Sequence, residues 1–249
     1  MLPTLFVSDL HLPPAPSPLR GAFARWLRGP ARGAQAVYLL GDLFDYWIGD
    51  DVGIERYGNE IQGLAGLTRA GVPVYLQRGN RDFFIGREFA RATGVEILRD
   101  PLVVEVGNRR ALLSHGDLFC TDDVSYQCWR RFSRIRTLQR LYLALPRGRR
   151  ERIAGGLRHS ANAHKRQKPP AIMDVSETAV RRAFDHYGVD LIIHGHTHRP
   201  GMHRYPLAQG TATRAVLPDW HDGAYGWLEY SDDKLHARSL STLSLDKSA

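Results

Sequence analysis

The sequence predicts an α/β sandwich interrupted by one basic helical insertion. Short apolar runs of about five residues alternate along the chain with amphipathic stretches, which is the pattern of strands and helices packed in layers. One segment, residues 121–173, breaks this alternation. The length of 249 residues suits one large domain, or one domain carrying an insertion, and is ample for a buried core.

The composition excludes several classes of protein. Apolar residues make up 43% and charged residues 24%, so a disordered chain, a collagen and a coiled coil are excluded. No apolar run approaches the roughly 18–20 residues that a membrane span requires. The first residues lack a basic leader, and Asp9 interrupts their apolar run, so we expect no signal peptide. Cys120 and Cys128 are expected to be free thiols in a cytoplasmic protein.

Strands and helices follow from the periodicity of apolar residues. The predicted buried strands are Leu5–Val7, Ala36–Leu40, Val72–Leu76, Ala111–Leu113 and Val189–Ile193. The predicted helices between and after them are Leu19–Arg28, Asn59–Ala70, Arg87–Thr93 and Val175–Tyr187. For the last helix, Asp174 is the expected N-cap and Gly188 the expected end.

The positive charge is concentrated in one segment. Arg130 to Lys168 contains thirteen Lys and Arg against one acid, Glu151, so it carries a net charge of +12 while the rest of the chain carries −4. Such a block indicates a partner that carries phosphates, whether a lipid head group, a nucleotide or a nucleic acid. The alternative is a solvated helical face without a partner.

The same segment contains a basic amphipathic helix. Its apolar residues recur at spacings of three and four: they are Trp129, Phe132, Ile135, Leu138, Leu141, Tyr142 and Leu145, with five arginines between them. Pro146-Arg-Gly148 ends this helix, and a second helical piece is expected from Arg149. The apolar stripe either packs on the body of the domain or covers a site and touches a membrane surface, and the two interpretations are compatible.

Possible metal ligands follow each predicted strand directly. They are Asp9 and His11, Asp42, Asn80, His115, and His196 with His198. Because the carboxyl ends of strands meet at one edge of an α/β sheet, these side chains can converge. Alternate residues such as Asp9 and His11 would point the same way in an extended segment, and adjacent glycines allow tight turns.

Carboxylates, imidazoles and one amide form a ligand set typical of divalent metals. Imidazole suits zinc, iron or manganese, and carboxylate and amide oxygens suit manganese or magnesium. Seven ligands are too many for one ion, but they fit two ions that share a bridging carboxylate, activate a water and hold a phosphoryl group. A single histidine is more often a core or surface residue than a ligand. Five clusters in the same position after a strand favour the metal centre.

The ordered motifs resemble those of the calcineurin-like metallophosphoesterases, whose fold is an αββα sandwich. Within that family, the chain looks like the UDP-2,3-diacylglucosamine diphosphatases of lipid A biosynthesis, which carry a helical cap after the His-Gly-Asp motif. The motifs that carry the resemblance are Ser8-Asp-Leu-His-Leu12, Gly41-Asp-Leu-Phe-Asp45, Gly79-Asn-Arg-Asp-Phe83, Ser114-His-Gly-Asp117, Ile172-Met-Asp-Val175 and Ile193-His-Gly-His-Thr-His-Arg-Pro200. The implied core is residues 1–120 and 174–249, with residues 121–173 as the cap.

The resemblance implies two Mn²⁺ ions, with Mg²⁺ or another divalent ion as alternatives. Asp9, His11 and His198 would hold one ion, Asn80, His115 and His196 the other, and Asp42 would bridge them. The implied catalytic residues are Asp42, Arg81 and His115. The implied substrate contacts are Asn80, Arg81, Asp123, Ala161, Lys165, Lys168 and His196. Ala161 aligns with a substrate-binding serine of the family, and Ser160 is adjacent to it.

Arg81 favours a diphosphate substrate on chemical grounds. Many relatives in the superfamily have a histidine at this position, which can protonate an alkoxide leaving group, whereas arginine remains charged and cannot act as an acid. When the scissile bond joins two phosphates, the leaving group is a phosphate ester with a second pKa of about 6. That group needs charge neutralisation, which a guanidinium provides. The alternative is a structural arginine paired with Asp82.

The resemblance implies hydrolysis of UDP-2,3-diacylglucosamine by attack of a metal-bound hydroxide on the α-phosphorus, giving UMP and 2,3-diacylglucosamine 1-phosphate. The expected partners are this lipid and an anionic membrane surface, with no nucleic acid. The expected location is the cytoplasmic face of the inner membrane of a Gram-negative bacterium. Two alternatives stay open: another two-metal phosphoesterase acting on a soluble nucleotide or nucleic acid, and a non-catalytic membrane- or nucleic-acid-binding module.

Overall fold

The computed structural model describes residues 2–167, 174–207, 210–221 and 223–240, and for positions 158–167 it describes only the backbone. The α-helices of that part of the chain are α1 (Pro18–Arg28), α2 (Asp50–Arg56), α3 (Gly58–Arg69), α4 (Arg87–Thr93), α5 (Val124–Ser133), α6 (Arg136–Leu143), α7 (Arg147–Gln167) and α8 (Glu177–Tyr187). The strands are β1 (Thr4–Val7), β2 (Ala36–Leu40), β3 (Val74–Gln77), β4 (Glu96–Ile97), β5 (Leu102–Val106), β6 (Arg109–Ser114), β7 (Leu191–His194), β8 (Gly201–Pro206), β9 (Thr211–Val216), β10 (Gly226–Ser231) and β11 (Lys234–Ser239).

The strands form two mixed sheets. The six-stranded sheet has the order β11-β10-β1-β2-β3-β4, in which β1 to β4 pair in parallel and β10 and β11 pair antiparallel. The five-stranded sheet has the order β5-β6-β7-β9-β8, in which β6, β7 and β9 are parallel. Each sheet therefore has a parallel centre, where several strands end on the same side.

The alternation of side chains along each strand determines the order of the layers. In β1, Leu5 and Val7 pack against α1 and α3, whereas Phe6 packs against residues of the other sheet such as Leu113 and Ile193. In β6, Leu112 faces the opposite way and joins the core beneath α8. Successive residues of a strand point to opposite faces of the sheet. Because both sets of residues are apolar in these central strands, each sheet is covered on both of its faces. The result is an αββα sandwich, which confirms the predicted fold class.

Most predicted elements of the core are present, with shifts of one or two residues at their ends. The N-cap of α8 is different from the prediction, because Ser176 occupies that position and Asp174 pairs with Arg199. Gly188 ends α8 in the left-handed conformation, as predicted. Helix α2 and the strands β4, β5 and β8 to β11 were not predicted. In α2 and β8 to β11 the apolar residues are sparse or alternate with polar residues, and β4 has only two residues.

The predicted single helix over residues 129–145 is wrong. The chain leaves the helical conformation at Ile135 and forms two helices, α5 and α6. At the break, Arg134 donates a 3.0 Å hydrogen bond to the buried carboxylate of Asp117. Arg130, inside α5, pairs with the same carboxylate at 2.9 Å, so Asp117 binds the end of α5 on both sides of its last turn. Helix α7 begins at Arg147, two residues before the predicted start at Arg149.

Four of the seven residues of the apolar stripe are exposed, whereas Leu138, Tyr142 and Leu145 are half-buried and Tyr142 stacks on Phe84 of the core. Trp129, Phe132, Ile135 and Leu141 are 38%, 55%, 45% and 67% exposed, and most large exposed apolar side chains of the described residues belong to α5, α6 and α7. Packing on the body of the domain does not account for these four residues, so the structure favours the alternative of a covering or contact surface. Among the residues that the structure describes, no helix has the length and apolar character to cross a bilayer.

Candidate metal centre and active site

The predicted ligands meet at the ends of five parallel strands, three from one sheet and two from the other. In strand order they are Asp9 with His11 after β1, Asp42 after β2, Asn80 after β3, His115 after β6, and His196 with His198 after β7. The backbone N–H of His196 donates a 2.8 Å hydrogen bond to Asp9 Oδ2, which joins the edges of the two sheets. The site therefore lies across the seam of the sandwich.

Two overlapping groups of side chains have metal-ligand spacing. Asp9, His11 and His198 form one, and Asp9, Asp42 and His115 form the other, with the ligand atoms of each group within 4.8 Å of one another. In the first group, the Nε2 atoms of His11 and His198 are 3.2 Å apart. These atoms lie 3.9 Å and 3.6 Å from Asp9 Oδ1.

The remaining two predicted ligands lie beside His115. Its Nε2 atom is 3.0 Å from Asn80 Oδ1 and 3.2 Å from His196 Nδ1. Asp42 Oδ2 is 3.8 Å from His115 Nε2 and 3.9 Å from His11 Nδ1. Asp42 thus stands between residues assigned to different ions. Its bridging role, like the division of ligands between two ions, stays a prediction.

Backbone strain is concentrated at the site. Five of the seven predicted ligands have positive φ angles, between 45° and 71°: Asp9, His11, Asp42, His196 and His198. The extended conformation considered for Asp9 and His11 is therefore wrong, and their side chains converge through left-handed turns. Such conformations cost about 1–3 kcal/mol each and typically occur at functional sites.

The turns need glycine where the backbone approaches a ligand closely. A Cβ atom on Gly195 would lie 2.1 Å from both Asp9 Oδ2 and Ser8 Oγ. A Cβ atom on Gly79 would lie 2.1 Å from Asp42 Oδ1. Both clashes are with the carboxylates around which the site is built, so these glycines make room for the ligands.

We expect Gly195→Ala to destabilise the protein by about 1–3 kcal/mol and to weaken metal binding, because the new methyl group displaces the Asp9 carboxylate. Urea denaturation and titration of the apoprotein with Mn²⁺ would measure the two effects. Gly66→Ala is the matched control, since a Cβ atom there meets nothing within 4 Å. Equal metal affinity in both variants would contradict the close approach.

Burial makes the charge of the site unfavourable without a cation. Loss of water is the main reason that the pKa of the Asp42 carboxyl is raised to about 7; the charge of His115 opposes this rise, and the nearby Asp82 and Asp9 carboxylates add to it. Burial lowers the pKa of His115, but the carboxylates of Asp42, Asp9 and Asp117 outweigh it and raise the value to about 9. Burial and the charge of His115 lower the pKa of His196, which favours its neutral, ligating form.

The residues present fit divalent metal ions. Asp9 Oδ1 is buried and has no hydrogen-bond partner among the described residues, although it faces two imidazole rings. A buried carboxylate oxygen without a donor is rare in proteins, and a cation satisfies it. The donor set of carboxylates, imidazoles and an amide contains no thiolate, as in sites for manganese, iron or zinc that take part in catalysis.

Several residues that support the ligands were not found from the sequence. Asp219 Oδ2 lies 3.0 Å from His198 Nδ1, and the carbonyl oxygen of Leu40 lies 2.9 Å from His115 Nδ1. Such partners determine which nitrogen faces a metal. Asp219 follows β9 after a short turn. Its position after a strand is therefore a signal by which sequence analysis could have found it.

Arg81 is held beside the ligands by two contacts. Its backbone N–H donates to Asp42 Oδ1 at 2.8 Å, and its Nη1 atom lies 3.2 Å from Asp45 Oδ1. The side chain is 30% exposed. Pairing with Asp82, considered as an alternative, does not occur in the described contacts, because the buried Asp82 carboxylate accepts backbone N–H groups of Leu43 and Gly79.

The predicted substrate contacts of the insertion are less completely described. Asp123 is the N-cap of α5 and accepts hydrogen bonds from Tyr126 N and Ser125 Oγ. Ala161 and Lys165 lie on α7, and Lys168 lies outside the described residues. The Tyr126 ring, absent from the predicted set, lies 5.6 Å from the His196 ring, so α5 reaches the metal ligands.

The chain is similar in sequence to several curated proteins. UDP-2,3-diacylglucosamine hydrolases of Aeromonas hydrophila and Aeromonas salmonicida are 42% and 41% identical to this chain, covering 88% and 97% of it and 91% and 95% of their own lengths. The enzyme of that name from Escherichia coli O81 is 44% identical over 88% of this chain and 91% of its own. A solved archaeal phosphodiesterase, 11% identical, covers 96% of this chain and 99% of its own with a TM-score of 0.49.

The family comparison matches the part of the chain that contains the ligands. The model of the calcineurin-like phosphoesterases matches residues 2–200, a range that includes all seven predicted ligands and ends two residues after His198. The relatives above are similar over nearly their whole lengths, so the match is not limited to the motifs. The chain therefore belongs to the calcineurin-like phosphoesterase family.

Proposed function

We propose that the protein hydrolyses the diphosphate bond of UDP-2,3-diacylglucosamine, releasing UMP and 2,3-diacylglucosamine 1-phosphate. The observation that carries this proposal is the position of Arg81, whose backbone N–H binds the predicted ligand Asp42 and whose guanidinium pairs with Asp45, where a proton donor would serve a simple ester. The names of the relatives that are 41–44% identical supply the substrate. Nothing in the site favours the alternative of a soluble nucleotide or a nucleic acid as substrate.

Two divalent ions, proposed to be manganese, would supply Lewis acidity and neutralise phosphoryl charge when bound. Asp9, His11 and His198 would hold one ion, Asn80, His115 and His196 the other, and Asp42 both. The protein's own residues orient the substrate around them. Water adds to the phosphorus next to uridine, the bond from that phosphorus to the bridging oxygen breaks, the electron pair leaves with the sugar phosphate, and the proton of the water is released to solvent.

Arg81 would stabilise the departing sugar phosphate. As the bond breaks, negative charge grows on the bridging oxygen, and the fixed guanidinium neutralises it without giving up a proton. Asp45 holds the Nη1 side of the guanidinium, which keeps its charge near the ligands. The other predicted contacts, Asp123, Ala161, Lys165 and Lys168, belong to the insertion, so both parts of the chain would bind the substrate.

The insertion would act as a lid over the lipid and as a contact with the membrane. We propose residues 121–173 as this cap, with the remaining chain as the catalytic core. Its exposed apolar side chains suit acyl chains, and the arginines of α5 and α6 suit a diphosphate and an anionic membrane surface, each contributing about 1 kcal/mol near that surface. The proposed location is the cytoplasmic face of the inner membrane of a Gram-negative bacterium, from which high salt would release the protein.

The test of the proposal is hydrolysis of UDP-2,3-diacylglucosamine by the Mn²⁺-loaded protein in ¹⁸O-labelled water. Attack on the phosphorus next to uridine places the label in UMP, which mass spectrometry detects. Label in the sugar phosphate would contradict the proposed bond, and absence of either product would contradict the substrate. A matched deacylated substrate separates a lipid hydrolase from a phosphoesterase that acts on soluble nucleotides.

The exposed apolar residues of the insertion should contribute to turnover of the acylated substrate and not to that of the deacylated substrate. Each buried methylene contributes about 0.8 kcal/mol, so we expect the triple variant Trp129→Ser, Phe132→Ser, Leu141→Ser to raise KM for the acylated substrate by about tenfold or more. Turnover of the deacylated substrate should stay unchanged. Met202→Ser on β8, which removes an exposed apolar side chain outside the insertion, is the control. Equal effects on both substrates would contradict a role in acyl binding.

A further inference from the structure

Arg150, in the first turns of α7, is a buried arginine whose contacts join the insertion to the core. Its side chain is 5% exposed. Nη1 donates to the carbonyl oxygen of Ile48 at 2.6 Å and to Asp51 Oδ1 at 2.9 Å, and Nη2 pairs with Asp51 Oδ2. Nε donates to the carbonyl oxygen of Leu145 at 3.0 Å. The guanidinium thus binds both the insertion and the start of α2.

The backbone of the core is shaped to receive this guanidinium. Gly49 has a φ angle of 130°, and a Cβ atom on it would lie 2.3 Å from Arg150 Nη1. Two ion pairs nearer the surface flank the contact, Arg147 with Glu55 and Glu151 with Arg56. Such pairs contribute little, and the Asp51 side chain is itself 62% exposed, whereas loss of the buried guanidinium removes the donor to the carbonyl oxygens of Ile48 and Leu145. Arg150 is therefore the main anchor of the start of α7.

The rest of the helix has no comparable support in the described residues. None of the side chains of residues 151–157 is buried. Lys165 stands fifteen positions beyond Arg150, about 22 Å along the helix at the standard rise. A tilt of about 10° at the anchor would move that position by about 4 Å by the same geometry. Small changes at Arg150 are thus amplified at the predicted substrate contacts.

We infer that Arg150 is a positioning residue that fixes α7 against α2, and thereby sets where the substrate contacts of α7 stand relative to the metal ligands. The expected effect of Arg150 on substrate binding rests on the proposed function. Its expected effect on the position of α7 rests only on the contacts described above. Arg150 touches no metal ligand in the described contacts, so its effect is on binding rather than on the chemical step.

Kinetics of Arg150→Gln should show a selective effect on the lipid substrate. We expect KM for UDP-2,3-diacylglucosamine to rise about tenfold or more, since a displacement of about 1 Å already has large effects. Hydrolysis of bis(p-nitrophenyl) phosphate should stay within about twofold. Arg150→Lys should restore part of the loss, because an ammonium lacks the planar fork. Arg147→Gln, in the same turn but 46% exposed, is the control and should leave both substrates unaffected.

A distance measurement separates failure of this inference from failure of the proposed function. Nitroxide labels on Leu157→Cys and Arg91→Cys, in a Cys128→Ser background, report the position of α7 relative to α4 without substrate. Arg150→Gln should broaden their distance distribution, and Arg147→Gln should not. Asp51→Asn is a milder variant, because it keeps the contact of Arg150 with Ile48. It should raise KM and broaden the distance distribution, each by less than Arg150→Gln does. If Arg150→Gln leaves the distance distribution unchanged, the inference is overturned. It is also overturned if this variant broadens the distribution but leaves KM for the lipid substrate unchanged.

Discussion

Asp42→Ala should remove most of the activity and reduce the number of metal ions bound per chain. An ionised carboxylate between two cations offsets their repulsion and determines their spacing, so its loss is expected to lower kcat by about 10³ or more. In the structure, Asp42 Oδ2 stands 3.8 Å and 3.9 Å from imidazole nitrogens assigned to different ions. Elemental analysis of the purified variant, together with its turnover of the lipid substrate, measures both effects.

The control for this prediction is Asp185→Ala, which removes an exposed carboxylate from α8. It should leave metal content and turnover unchanged. Burial of Asp42 raises its pKa to about 7, so a neutral residue there relieves a desolvation cost, and the apoprotein is not expected to unfold. Normal turnover in Asp42→Ala, or full activity after exhaustive chelation of the unmodified protein, would contradict the metal centre.

Arg81→Ala is expected to lower kcat by about 10²–10³ with a much smaller rise in KM, because the guanidinium acts on charge that develops in the transition state. Arg81→Lys should recover only part of the rate, since lysine lacks the planar fork. Steady-state kinetics on the lipid substrate would separate kcat from KM. The backbone N–H that binds Asp42 is unaffected by either substitution, so metal content should stay normal.

Two further variants make the interpretation of Arg81 specific. Asp45→Asn weakens the contact that orients the guanidinium and should give a smaller loss of kcat than Arg81→Ala. Arg91→Ala removes a 74% exposed arginine of α4 and should have no effect. If Arg81→Ala kept a normal kcat, the arginine would be structural, and the argument for a diphosphate substrate would lose its chemical basis.

The metal centre was predictable from the sequence because its signals are local. Each ligand follows an apolar run, and parallel strands bring their carboxyl ends to one edge regardless of the distance along the chain. All five strands used in that argument occur, and the ligands after them lie in contact range. The supporting partner Asp219 was missed because β9, the strand that it follows, alternates apolar with polar residues and was not predicted.

The insertion shows where local patterns fail. The apolar spacing of residues 129–145 is compatible with one helix, whereas the structure has an extended Ile135 between two helices, beside the contact of Arg134 with the buried Asp117. Whether Trp129 and Phe132 are exposed depends on whether another part of the protein packs over them. The spacing of apolar residues along the sequence carries no information on that packing.

The sequence by itself determined the five central strands, the candidate ligands that follow them and the concentration of positive charge in one segment, because these depend on neighbouring residues. The tertiary structure decided which side chains support the ligands and how the insertion is anchored. The contacts of His198 with Asp219 and of Arg150 with Ile48 join residues 21 and 102 positions apart. Such pairs form only when packed layers bring the elements together, and packing is a property of the whole core.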